Sequence, residues 1–128
     1  MNLILDTHAL LWFVGGDPRL STAGRAAIED LANKRLFSIA GAWEIAIKVS
    51  LGKLSLSAPF GRLIPGLLDA NGIDLLQVRP EHITELIGLP LHHRDPFDRI
   101  LVTQAMVENA TIVSADPALD QYPIRRLW

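Results

Sequence analysis

At 128 residues, 49% of them apolar, the chain can bury a core of its own and is read as one domain spanning residues 1–128. No stretch reaches the roughly 20 uninterrupted apolar residues of a membrane span, nothing before Leu3 resembles a leader, and the absence of cysteine excludes disulfides and thiolate metal sites, so the cytoplasm is the expected location. A formal net charge of −2 excludes holding nucleic acid by bulk positive charge; a polyanionic ligand would need a local basic stretch or a bound cation.

Leu3-Ile4-Leu5 is an apolar run too short for a helix, and it turns at Asp6-Thr7 into helical spacing at Leu10, Leu11 and Val14. Gly15-Gly16 breaks that helix. Ser21 caps the next, with apolar positions Ala23, Ala27, Ile28 and Leu31. "RLFSI" reads as a second strand, and a small-residue turn at Ala40-Gly41 leads into the helix "AWEIAIKVSLGKL", stopped at Gly52. "APFGRLIPGLLDANG" is a weaker helix interrupted by Pro65. "IDLLQV" is a third strand, Pro80 opens a helix over "PEHITELIGL", and "PFDRILVTQAMVENA" has the firmest helical pattern in the chain. "TIVSAD" is a fourth strand and "IRRLW" a short fifth. Alternating short strands and helices predict an α/β domain with a mostly parallel sheet of four to five strands, whose ligands lie beyond the carboxyl ends of the strands.

Acids fall at those ends. Asp6 follows strand one, Asp116 follows strand four, and Glu44 lies early in the helix after strand two, beside Lys48 and apart from the core-facing positions expected for Trp43, Ala46 and Ile47. Each has a local explanation: Asp6 as a helix cap, Asp116 as the cap of a turn at Pro117, Glu44 as an i,i+4 partner of Lys48. In "HHRDPFDRIL", Asp95 is a good N-cap, Pro96 suits the first helical position, and Asp98 takes the capping-box position. Local explanations do not account for several carboxylates on one sheet edge. Two of them about 4 Å apart repel by roughly 4 kcal/mol at an effective dielectric near 20, and a divalent cation relieves that repulsion. Oxygen-only ligands favour a hard ion, Mg²⁺ or Mn²⁺.

The segments "ILDTHALLW", "WEIAIK", "HHRDPFDRILVTQA" and "IVSAD", in that order, resemble the PIN-domain family, and more narrowly the VapC-type ribonuclease toxins of toxin–antitoxin pairs. The resemblance runs over essentially the full length. It implies a three-layer α/β/α sandwich, Mg²⁺- or Mn²⁺-dependent hydrolysis of RNA, a cognate antitoxin and a homodimer. It maps the family's acids onto Asp6, Glu44, Asp98 and Asp116, with Asp6 and Asp98 on the first metal ion and Glu44 and Asp116 completing the pocket. Asp95 is then the helix cap that supports Asp98. Thr7 and Ser114 sit beside the acids and are expected to hydrogen-bond a carboxylate or water, or to cap the chain locally.

Arg94 and Arg99 offer forked donors for phosphate, or, for Arg99, a clamp on an acid. His92 and His93 tempt a zinc reading, but adjacent loop residues point apart and no third nitrogen ligand is evident. Lys48 and Lys53 fit RNA contact less well than solvation of a helix face. Leu10, Leu11, Trp12 and Phe13 are expected mostly in the core, any excess being covered by a partner. A receiver-like phosphoacceptor module is the rival of another class, yet "LLQVRP" places no aspartate at the end of strand three. A dehalogenase-type phosphatase needs an aspartate where His8 stands. A PIN fold that binds RNA without cutting would have lost acids, and all four are present.

Overall fold

The computed structural model describes residues 1–128. Five strands, β1 (Asn2–Leu5), β2 (Lys34–Ser38), β3 (Asp74–Leu76), β4 (Thr111–Val113) and β5 (Arg125–Leu127), form one sheet in the order β3-β2-β1-β4-β5. Every pair is parallel, with Leu3 opposite both Arg35 and Thr111, so the sheet is wholly rather than mostly parallel. The helices are α1 (Thr7–Val14), α2 (Thr22–Glu29), α3 (Ile39–Ser50), α4 (Leu68–Ala70), α5 (Pro80–Ile87) and α6 (Pro96–Glu108), with a 3₁₀ turn at Pro117–Gln121.

Alternation along the strands divides the core in two, because successive side chains leave opposite faces of a sheet. Leu3, Leu5, Phe37 and Val113 pack with Ala9, Leu10, Ile28 and Ile45 of α1, α2 and α3. Ile4, Leu36 and Ile112 pack on the other face with Leu101, Val102 and Ala105 of α6. Helices therefore cover both faces, giving the three-layer α/β/α sandwich. The chain winds outward from β1 to β3, then returns past β1 to add β4 and β5. The sheet's topological switch lies between β1 and β4, where the Asp6 amide donates to the Val113 carbonyl at 3.1 Å.

Several expected boundaries move. The weak helix splits at Ile64, whose φ −130° and ψ 111° are non-helical, as expected of a residue before proline. Leu31 lies beyond the end of α2 and is 83% exposed. Ala40 and Gly41 do not form a turn; Ser38 caps α3 directly, accepting from the Ala40 amide. Gly41 is required there by packing, since a Cβ would lie 2.6 Å from the Phe37 ring of the sheet core. Gly52 follows α3 with φ 71° and Asn109 ends α6 with φ 50°, both left-handed stops.

Candidate active site

The four acids converge at the switch point. Asp6 leaves β1 and caps α1, its Oδ1 accepting from the Ala9 amide at 2.8 Å. Its carboxyl is pushed above the ordinary aspartate range, first by burial and more weakly by the charge of Glu44, against hydrogen bonds from the Ser114 side chain and the Ala9 amide and the attraction of His8. Ser114 also serves the next acid, its Oγ accepting the Asp116 amide at 3.1 Å. The Thr7 hydroxyl likewise donates to an acid, Glu44.

Glu44 overturns the expected orientation of α3. Trp43 is 65% exposed and Ala46 is exposed, whereas Glu44 is only 8% exposed, beside buried Ala42 and Ile45. Trp43 instead meets Phe97 of α6 edge-on at 5.4 Å between ring centroids. The Glu44–Lys48 pair forms as expected, at 3.0 Å, but on a buried carboxylate rather than a wet face. Thr7 Oγ1 donates to the other oxygen, so both carboxylate oxygens of Glu44 are already partnered.

Asp98 sits on the first turn of α6. Asp95 caps that helix, with Oδ1 accepting from the Phe97 amide at 2.8 Å and more distantly from Asp98. The expected capping box is not formed: the Asp95 amide donates to His93 Nδ1 at 3.2 Å. Asp98 is pushed up to about 7, mainly by burial, then by the charge of Asp95, with smaller contributions from Glu44 and Asp6 and a partial offset from His93. A carboxyl displaced in this way by burial and like charges marks a candidate functional position.

Asp6, Glu44 and Asp98, with Thr7 and Ser38, line a small cavity of about 20 Å³, room for a single water or ion. Asp116 lies outside it and joins through Asp98. His93 Nε2 is 3.2 Å from Asp98 Oδ2 and 3.1 Å from Asp116 Oδ2, and one ligand-type atom of each of the three side chains lies within 4.8 Å of the others. Asp98 is common to both groups. Asp116 also caps the 3₁₀ turn, accepting from the Ala118 amide.

His93 is the site residue that sequence reasoning undervalued. The expectation that His92 and His93 point apart is met, since His92 packs edge-on against Tyr122, but His93 turns into the acids. Arg99 clamps no acid: its guanidinium donates to the carbonyls of Leu89, Pro90 and His93, fixing the loop before α6. Tyr122 completes that hold, its hydroxyl accepting from the His93 amide and donating to the Pro90 carbonyl. Arg94 and Lys53 are exposed. Leu10 is buried, and Leu11, Trp12 and Phe13, partly buried, pack against the same core.

A doubly wound α/β domain with carboxylates gathered at its switch point belongs to the class built to hold a hard cation or an anionic ligand near one. The chain matches the model of the PIN domain family over residues 3–124, and it belongs to that family. It is 40% identical over 58 residues to ribonuclease VapC16 of Mycobacterium tuberculosis (strain ATCC 25618 / H37Rv), a match covering 45% of this chain and 41% of that protein. Its fold is similar to a chain of VapBC2 from Rickettsia felis, solved bound to a DNA fragment from their promoter, with a TM-score of 0.69 and 18% identity over 98% of this chain and 97% of that one. A chain of VapBC-1 from nontypeable Haemophilus influenzae gives a TM-score of 0.65 and 15% identity over 98% and 96% of the two chains. No helix is long and apolar enough to cross a membrane.

Proposed function

We propose that this PIN-domain chain is a metal-dependent endoribonuclease that hydrolyses RNA phosphodiester bonds as the toxin of a VapBC-like toxin–antitoxin pair. The observation that carries the reading is the single cluster of Asp6, Glu44, Asp98 and Asp116 at the sheet's switch point, with Asp98 destabilised as an anion. The local identity to a ribonuclease VapC supports the substrate class, and two full-length neighbours from VapBC systems support a cognate antitoxin as partner. A homodimer and a cytoplasmic setting belong to the same reading.

The donor set fits a hard divalent ion. All four acids present oxygen, the cavity between Asp6, Glu44 and Asp98 has the volume of one small guest, and like charges push Asp98 up. Asp6 and Asp98 would hold Mg²⁺ or Mn²⁺ directly or through water. Such an ion, when bound, supplies positive charge for a phosphodiester and a lowered pKa for water. Glu44, held by Thr7 and Lys48, fixes the floor of the pocket, while Asp116 on its turn bounds the opposite side. Asp95 keeps the α6 start in place. Exposed Arg94, next to Asp95, offers a fork for substrate phosphate.

The test is cleavage of total RNA by protein freed of any antitoxin, in Mg²⁺ or Mn²⁺, with EDTA and a folded Asp98→Asn variant as controls. Cleavage is expected to disappear in EDTA and to fall at least about 100-fold in the variant, the scale of losing one preorganised electrostatic group at a reacting centre. RNA left intact under every metal condition would remove the nuclease reading for those substrates.

A further inference from the structure

His93 stands between two of the proposed metal-binding acids, and its chemistry is fixed by a contact on the other side of the ring. The Asp95 backbone N–H donates to Nδ1 at 3.2 Å, and an amide nitrogen has no other role to play there. Nδ1 therefore carries a lone pair, and the ring's proton resides on Nε2. Nε2 is hydrogen-bonded to Asp116 Oδ2 at 3.1 Å, and Asp98 Oδ2 lies 3.2 Å from the same nitrogen. A histidine that ligates a metal shows the reverse arrangement, with one nitrogen free for the ion and the other donating to a carbonyl or carboxylate. Here the nitrogen nearest the acids is the donor.

We propose that His93 is a positioning residue: its neutral imidazole donates Nε2–H to Asp116 and holds that carboxylate beside Asp98, leaving the cation to oxygen ligands alone. This rests on the proposed metal-dependent reading of the acids. The backbone that carries the ring is held, its amide by the Tyr122 hydroxyl and its carbonyl by Arg99. Tyr122 is buried and Arg99 anchors two further carbonyls of the same loop, so these two side chains fix the loop from which His93 projects toward the acids. That bond also explains why Asp116, outside the cavity that Asp6, Glu44 and Asp98 line, stays aligned with them.

Two measurements decide it. In metal-free protein, ¹⁵N–¹H long-range correlation of the His93 ring is expected to show the Nε2–H tautomer with Nδ1 unprotonated; an Nδ1–H tautomer would overturn the assignment whether or not the protein binds metal. In the second, Mn²⁺ is titrated into wild type, His93→Ala and His93→Gln by electron paramagnetic resonance. His93→Ala is expected to bind about 10- to 100-fold more weakly, the usual effect of losing a group that orients a ligand. His93→Gln, which keeps an N–H donor of similar reach, is expected to recover most of that loss, and bound Mn²⁺ in wild type should show no coupling to an imidazole ¹⁴N. Equal Mn²⁺ affinity in all three proteins, or ¹⁴N coupling that vanishes in His93→Ala, would refute the positioning role and leave the nuclease reading standing. Failure of wild type to bind Mn²⁺ would instead remove that reading, with the tautomer measurement still reporting on His93.

Discussion

Two histidines in this protein are wired alike and placed in opposite electrostatic settings. His82, fully buried at the start of α5, accepts the Arg79 amide on Nδ1 at 3.0 Å and presents Nε2 to Glu108 at 3.4 Å. His93 accepts the Asp95 amide on Nδ1 and presents Nε2 to Asp98 and Asp116. At the first site Arg79 donates to the same Glu108 carboxylate at 2.6 Å. Burial alone would raise Glu108, but hydrogen bonds from Arg79 and His82 outweigh it and hold the carboxyl below its ordinary range. At the second site no arginine is paired with Asp98, and Asp98 rises to about 7. One cluster is complete as it stands and ties α5 to α6; the other carries charge that a cation would complete.

Neutralising one acid in each cluster should therefore have opposite signs. At about pH 8 and without metal, Asp98→Asn is expected to stabilise the fold by on the order of 1 kcal/mol or more, because it removes an anion held in a half-buried, like-charged position. Glu108→Gln is expected to destabilise it by a smaller amount, since Arg79 and His82 lose their charged acceptor. Urea denaturation of both variants beside wild type reads the two signs. Destabilisation by Asp98→Asn would mean that the acids are already neutralised within the fold.

The pH dependence of the metal-free protein sharpens the same contrast. Asp98 is raised in the folded state from an ordinary 3.8 to about 7, so folding favours its protonated form. That stabilisation is fully present below the unfolded value and is lost as pH rises from about 4 to about 7. Asp6, also raised, acts in the same direction. Glu108 is lowered from 4.5, so its contribution is present above that value and is lost as pH falls through the folded one. The urea midpoint should thus decline between about pH 5 and about pH 8, and Asp98→Asn should flatten much of that decline. A midpoint that rises over this interval would contradict the shift at Asp98.

Much of this organisation was legible in the sequence because strand-ending acids and helix caps are local features. Asp6, Asp95 and Asp116 each cap the element that their following residues open, and each lies at the carboxyl edge for that reason. The layered α/β architecture followed from strand–helix alternation. Features set by contacts between elements were less accessible. Periodicity on α3 identified apolar residues but could not distinguish core from neighbouring helix, so Trp43 was expected inside although it packs against Phe97 at the surface. Gly41 looked like a turn residue, whereas its smallness admits the Phe37 ring beneath a helix. The role of His93 depended on where its loop was pinned, which requires Arg99 and Tyr122, residues 6 and 29 positions away. Its local signal was a histidine two residues before the N-cap Asp95, able to accept that residue's amide.

The most direct test of the central claim, that these acids form a cation site, is calorimetric titration of Mn²⁺ into metal-free wild-type protein near pH 7 in buffers of different ionisation enthalpy. With Asp98 near half protonation, binding should release protons, and both the binding and the proton release should be strongly diminished in Asp98→Asn. Absence of binding, or binding of equal strength in Asp98→Asn without proton release, would contradict the account.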